Sequence, residues 1–314
     1  MEAAFYPWTG DRKGSRRSPL HVAGAASRST QHDLEINLGE IEPPRYKLIF
    51  AKPPNEQEAF VHLALPQETS AGEAGWLAQR VLSADERAHA DQLTRPSLRH
   101  DYIIARSLVR LVLSSYFPVA PADWCFARSG VGRPFVVAPA DSAGLQFSLS
   151  HTAGLLGVLV AAQPEAGLDL ESIRDTPDLP QVATREFASE ERIALGQLAG
   201  DAWLTRFFQL WTLKEAYAKA RGFGLALPLQ SVAFELAPLR PVRAAFAAHL
   251  REAPSRWHFA LHQISQSHIV AAALRCEPQS ASPVFTFLTS RIRASVEDAW
   301  LESSARAGAE AFYT

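Results

Sequence analysis

Sulfur is scarce in this chain of 314 residues, with two cysteines, Cys125 and Cys276, and one methionine. No C-x-x-C pair is present, so neither a thiolate zinc site nor a disulfide framework is expected. A reducing compartment, the cytoplasm, is expected instead. No apolar run approaches the roughly 20 residues that a spanning helix needs, so no membrane segment is expected. The first residues lack the apolar core of a secretion signal. Formal net charge is only -2, and no global basic field points to nucleic acid. H-E-x-x-H, Walker and G-x-S-x-G patterns are missing, leaving zinc, P-loop and serine-nucleophile chemistry without support. The run "GFGLAL" is too short for a dinucleotide fingerprint, and no strand precedes it. What remains is ordinary for a globular protein, with 47% hydrophobic and 20% charged residues. The length suits two domains or one large one.

Residues 1–45 are rich in Ser, Arg, Gly and Pro and read as a flexible tail. Arg12 to Arg17 have the composition of a transit peptide, but Asp11 and Asp33 argue for a plain tail. "RYKLIFAKP" and "FVHLAL" read as strands. "SADERAHADQL" opens with Ser83 as N-cap and Glu86 at the capping-box position. "RHDYIIARSLVRLVLSSYF" is an amphipathic helix with Arg106 and Arg110 one turn apart on one side. Short strands follow at "WCFARS", "GRPFVV", "LQFSLSHT", "LLGVLVAA" and "GLDLESI". Helices are expected at "LPQVATREFASEERIAL", at "AWLTRFFQLWTLKEAYAKA" and in the arginine-rich stretch after "LPLQSVAFEL". Strands are expected at "WHFALHQI" and "HIVAAALRC", and a helix at "SRIRASVEDAWLES". Residues 46–163 and 164–277 share one order of elements, which suggests an internal duplication without a direct sequence repeat. Residues 278–314 form a C-terminal extension.

The chemistry concentrates in four stretches. If "GLDLES" is a strand, Leu168 and Leu170 point one way while Asp169 and Glu171 point the other. Two adjacent carboxylates repel unless a cation sits between them, and such hard oxygen donors suit magnesium. A solvated acidic face is the plainer alternative. "WTLKEAYAKARGFGL" is a helix stopped by glycine, with Leu213, Tyr217 and Ala220 on the buried face and Lys214, Glu215 and Lys219 on the other. Taken alone, that polar face needs only a Glu215–Lys219 pair at i,i+4. His151 ends an apolar strand and is either a structural hydrogen-bonding residue or a phosphate donor. Arg133 stands on the "VGRPF" turn, exposed and pointing out, and is either a turn arginine or a phosphate fork.

A G-R-P turn, an S-H turn, a G-x-D-x-E strand and a W-x-x-K-E-x-x-x-K helix, in that order, resemble the Sfp-type 4′-phosphopantetheinyl transferases. The resemblance runs from about Arg45 to Cys276. It implies an α/β (α+β) fold, a pseudo-dimer of two similar α/β subdomains with the active site in the cleft between them, working as a monomer. It implies transfer of the 4′-phosphopantetheine arm of coenzyme A to a serine of an acyl or peptidyl carrier protein, with magnesium and release of adenosine 3′,5′-bisphosphate. Asp169, Glu171 and Glu215 match the metal-binding acids, and Glu215 also matches a candidate base. Lys219 matches the lysine near the diphosphate, and Lys214, its neighbour in the motif, is expected to flank the diphosphate with it as a further catalytic residue. His151 and Arg133 match positions that hold the 3′-phosphate and adenine end, and Arg106 matches an arginine of the long first helix. Thr152 stands where many relatives have serine. The carrier is expected to present an acidic helix, and Arg185 and Arg192 are the first candidates to meet it. Two rival functions use the same residues differently. One is a magnesium phosphohydrolase, and the other a non-catalytic module that binds coenzyme A or a carrier.

Overall fold

The computed structural model describes residues 45–46, 51–130, 132–139, 144–222, 227–238, 240–278, 281–294 and 298–305. The expected tail before Arg45 and the glycine at 224 lie outside them. In chain order come a two-residue strand β1 (Arg45–Tyr46), β2 (Glu58–Ala64), and helices α1 (Ala71–Arg80), α2 (Ala84–Gln92) and α3 (Pro96–Ser114). Strands β3 (Cys125–Arg128), β4 (Pro134–Ala138), β5 (Gln146–Thr152) and β6 (Leu155–Ala161) complete the first half. The second half runs β7 (Ala166–Ser172), α4 (Leu179–Glu186), α5 (Ser189–Leu195), α6 (Gly200–Arg221), β8 (Val232–Glu235), β9 (Arg243–Phe246), β10 (Trp257–Ser265) and β11 (His268–Arg275). Strands β12 (Val284–Ala294) and β13 (Asp298–Ala305) follow. Each half is one strand, three helices, a small hairpin and two more strands.

The strand order repeats as well. In the first half β6 lies between β2 and β5, and in the second β11 lies between β7 and β10, all antiparallel. Alternation along these strands sorts side chains into separate cores. Leu156, Val158 and Val160 of β6 pack with Ile104, Leu108 and Leu111 of α3. Ile269, Ala271 and Ala273 of β11 pack with Phe208, Leu213 and Tyr217 of α6. The opposite faces meet each other: Val61 and Leu63 of β2, Leu159 of β6, Leu168 and Leu170 of β7 and Val270 of β11 form a third core. The architecture is therefore helix layer, sheet, sheet, helix layer. Burial on both faces explains why β6 reads as a continuous apolar run.

A matching ion pair braces each half. The capping-box acid of α2, Glu86, meets Arg110 of α3 at 2.8 Å, and Glu191, which accepts from the Ala188 N–H at the same place in α5, meets Lys214 of α6 at 2.7 Å. Arg110 also donates to the carbonyls of Pro121 and Trp124 just before β3. Lys214 donates to those of Leu229 and Val232 at the start of β8. This correspondence escaped the sequence because the two cations differ in kind.

Two expected helices are strands. "SRIRASVEDAWLES" belongs to the β12–β13 hairpin, in which β12 pairs parallel with β2. Intrinsic helix propensity yields to the open edge of β2, whose backbone groups need partners. The arginine-rich stretch after "LPLQSVAFEL" is β9 followed by short turns. Pro238 and Pro241 disfavour a helix there, and Arg243 lies opposite Glu235 across the hairpin. Helix α1, unforeseen in the sequence, carries its own S-x-x-E signal, with Ser70 and Glu73 forming a full capping box.

Candidate active site

The site is built on β7 and α6. Leu168 and Leu170 face the inter-sheet core, so Asp169 and Glu171 face α6, as the alternation predicts. Gly167 lets the helix come close enough to meet them. A Cβ there would lie 2.1 Å from the carbonyl oxygen of Ala216 and 2.4 Å from the backbone nitrogen of Ala220. Ala216 and Ala220 are small residues one turn apart, so strand and helix backbones nearly touch. Trp211, Glu215 and Lys219, at i, i+4 and i+8, form a half-buried line along the helix. Gly222, with φ of 70°, ends the helix in the left-handed region.

Contacts follow from that approach. The Lys219 ammonium lies 2.6 Å from Asp169 Oδ1 and donates to Ser150 Oγ at 2.9 Å. Ser150 donates to the same carboxylate oxygen at 3.1 Å. The Trp211 indole donates to Glu171 Oε1 at 3.0 Å. Burial pushes the Glu171 and Glu215 carboxyls up to about 7, and the charge of Asp169 adds to both shifts. Burial also raises Asp169, against the pull of Lys219. Lys219 acts on all three crowded acids and Arg174 on Glu171 as well, yet burial and mutual repulsion still outweigh them.

Other expected site residues stand elsewhere. Lys214 is wholly buried on the far side of α6 with Glu191 and two carbonyls. It belongs to the brace described above and not to the line of Glu215 and Lys219, which corrects the shared polar face read from the sequence. One residue is a helical rotation of roughly 100°, enough to turn Lys214 away from its neighbour Glu215. Arg133 is half-buried rather than exposed. It donates to the carbonyls of Pro164 (3.2 Å), Ala166 (2.9 Å) and Ala220 (2.9 Å), tying the β3–β4 turn to the start of β7 and the end of α6. His151 is half-buried on β5, on the face opposite Ser150. Arg106 is buried in α3 with its guanidinium 5.0 Å from the Tyr102 ring centre. Arg185 and Arg192 are exposed on α4 and α5. Ser150 is a site residue that the sequence reading did not single out. The alternating hydroxyls of "SLSHT" were the available signal.

The donor set suits a hard divalent cation. Asp169 Oδ2 is buried without a hydrogen-bond partner, while the two neighbouring carboxyls titrate near neutrality. Yet no three His, Cys, Asp or Glu side chains among the described residues converge on one ion position. Magnesium does not require that, since it keeps several waters and takes one or two carboxylates together with substrate phosphates.

The fold and site define a two-half α/β protein with an acid–lysine centre between a strand and its packing helix. A family model described as the 4′-phosphopantetheinyl transferase superfamily matches residues 165–273, the half that carries this centre. The 4′-phosphopantetheinyl transferase HetI of Nostoc sp. is 34% identical over 192 residues, covering 61% of this chain and 77% of its own. A 4′-phosphopantetheinyl transferase of Bacillus subtilis is 29% identical over 167 residues, covering 53% and 71%. The solved holo-acyl-carrier-protein synthase of Thermotoga maritima aligns over 46% of this chain and 84% of its own, at 16% identity and a TM-score of 0.30. The chain belongs to the 4′-phosphopantetheinyl transferase superfamily.

Proposed function

We propose that the protein transfers the 4′-phosphopantetheine arm of coenzyme A to a serine of an acyl or peptidyl carrier protein, with magnesium, releasing adenosine 3′,5′-bisphosphate. The observation that supports this most is the packing of Glu215 and Lys219 against Asp169 and Glu171, with one carboxylate oxygen left unpartnered in a buried place. Family membership supports the reaction class. Two subdomains, 46–163 and 164–277, would enclose coenzyme A in the cleft between them, a reading supported by their repeated element order. The two free cysteines are consistent with cytoplasmic work, and no helix among the described residues is long and apolar enough to cross a membrane.

Asp169, Glu171 and Glu215 are the acids from which the metal would draw its one or two carboxylate ligands, and when bound it supplies charge neutralisation on the diphosphate. Lys219, released from Asp169, would turn to the phosphate that leaves with the nucleotide. Glu215 would take the proton of the carrier serine as its oxygen attacks phosphorus and the bond to the nucleotide phosphate breaks. In the metal-free protein its carboxyl stands near 7, and bound magnesium would lower it, so that the carboxylate a base needs would be present at neutral pH. His151 would meet the 3′-phosphate. Arg133 would join it with the N–H groups not committed to the three carbonyls, and Arg106 would support the first-half side. The exposed Arg185 and Arg192, beside Ile193 at 68% exposure, would face the acidic helix of the carrier.

Intact mass of an apo-carrier protein after incubation with the enzyme, coenzyme A and magnesium tests the proposal. The carrier should gain one phosphopantetheine, and Asp169→Asn should lower the rate at least ~100-fold. Free phosphopantetheine formed without carrier would indicate a hydrolase. Binding of coenzyme A without turnover, across a panel of carriers, would indicate a binding module.

A further inference from the structure

Strand β7 has a neighbour on one side only, because its sheet runs β10-β11-β7. Its outer backbone N–H groups are nevertheless buried with Leu168 and Leu170, which are 0% and 1% exposed. A buried N–H without an acceptor is strongly unfavourable. Strand β5 supplies the acceptors with side chains. Leu168 N donates to Ser148 Oγ, Leu170 N to Ser150 Oγ and Ser172 N to Thr152 Oγ1, each at 3.1 Å. The spacing is i, i+2, i+4 on both strands, so every rung joins equivalent positions. Ser150, in the middle, accepts from Leu170 N and Lys219 and donates to Asp169. That uses the full hydrogen-bonding capacity of a hydroxyl.

The other half serves as an internal control. There the corresponding strand is β2, and the strand corresponding to β5 is β10. The face of β10 that carries Ala260 and Ile264 into the inter-sheet core also carries His258 and His262 by alternation, and none of the four has a hydroxyl. The second edge of β2 is paired instead by the backbone of β12. One half closes its edge with an extra strand and the other with three hydroxyls.

We propose that Ser148, Ser150 and Thr152 are positioning residues. They act as a side-chain ladder in place of a missing strand and set the register of the acid strand against the first half of the molecule. Asp169 and Glu171 alternate with the bonded amides, so a slip of β7 along β5 would carry both acids away from a nucleotide held by the first half. The catalytic part of this inference rests on the transferase reading, whereas the ladder itself does not.

The test uses the full chain with Ser148→Ala and Thr152→Val, each removing one hydroxyl without touching Asp169 or Lys219, and with Ser148→Thr and Thr152→Ser as hydroxyl-keeping controls. Hydrogen exchange of the Leu168 and Ser172 amides should speed up by on the order of tenfold in the matching hydroxyl-less variant, and not in its control. Per folded molecule, kcat for carrier modification should fall severalfold while the KM for coenzyme A stays within about twofold, and the controls should restore kcat. Unchanged exchange in both hydroxyl-less variants would overturn the ladder. Faster exchange with unchanged kcat would overturn the positioning role. A wild-type protein that modifies no carrier would count against the transferase reading, and exchange would still decide the ladder.

Discussion

At the scale of the residue, chemistry here comes from neighbours more than from identity. Glu215 on an exposed helix face would be an ordinary carboxylate, but burial and the charge of Asp169 bring it to about 7. The sign of its effect on stability follows. The folded-state value lies above the ordinary 4.5, so the stabilising contribution is present below 4.5 and is lost as pH rises through about 7. In metal-free protein, denaturant titrations of Glu215→Gln should show a weaker decline in stability between pH 5 and pH 8 than wild type, and equal slopes would refute the shift. The same substitution removes the proposed base and should lower kcat by about 10²- to 10⁴-fold. If magnesium still binds by calorimetry, Glu215 is the base, and if binding is lost it is a ligand. Lys214 shows the converse. Its place beside Glu215 in the motif suggested phosphate, but its position on the helix gives it to Glu191, and Lys214→Met should act on stability far more than on the KM for coenzyme A.

The β7–α6 pair is the element that assembles the site. The D-x-E alternation and the K-E-x-x-x-K helix were both legible, because period 2 and period 3.6 show in one dimension. How closely the two pack was not. In the sequence Gly167 is only the first residue of a strand, whereas it is the contact that brings Ala216 and Ala220 against that strand. Gly167→Ala should therefore push the helix off the strand, since the obstacle is backbone and cannot rotate away. A loss of about 1–3 kcal/mol in chemical unfolding is expected, together with loss of transfer by the fraction that still folds. Gly157→Ala is the informative comparison. Its Cβ would lie 2.8 Å from Leu170 Cδ1 and 3.0 Å from Leu168 Cδ2, side-chain tips that can shift. A smaller loss with activity retained is expected, and equal losses at the two glycines would contradict the close-approach argument.

Across the whole molecule, the C-terminal hairpin is part of the first half's sheet and not an appendage. It brings Ser290 to His62, whose Nδ1 lies 3.0 Å from Ser290 Oγ and whose Nε2 lies 2.8 Å from the Tyr116 hydroxyl. Ser290 in turn meets Ser303 of β13 at 3.0 Å. Burial lowers His62 from 6.5 to about 3, so the folded protein holds this imidazole neutral while the unfolded chain protonates it. Stability is then lost as pH falls from 6.5 towards 3, at up to about 1.4 kcal/mol per pH unit. The acids of the site act in the opposite sense between 4.5 and 7, so the difference between wild type and His62→Gln isolates the histidine. That variant should lose less stability than wild type between pH 6.5 and pH 4, and a parallel loss would refute the assignment. Ending the chain after Pro278 should also uncover the edge of β2 and lower the yield of monomeric protein in size-exclusion chromatography.

The sequence by itself determined the alternation of β7, the start of α2, the glycine stop of α6, the repeated order of elements and which acids could share one face of β7. These are local signals, written within one turn or a few residues of chain. Helix α3, by contrast, runs from Pro96 to Ser114, three residues before its expected place at both ends. Tertiary structure decided which lysine of "KEAYAK" faces the acids, that Arg133 holds backbone carbonyls, that Ser150 joins the centre, and that "SRIRASVEDAWLES" is a hairpin. Each of these depends on a partner tens to hundreds of residues away: Glu191 for Lys214, Ala220 for Arg133, Asp169 for Ser150, and the open edge of β2 for the hairpin. Periodicity tells which side of an element is buried. It does not tell what lies against that side, because the opposing surface exists only once the chain has folded.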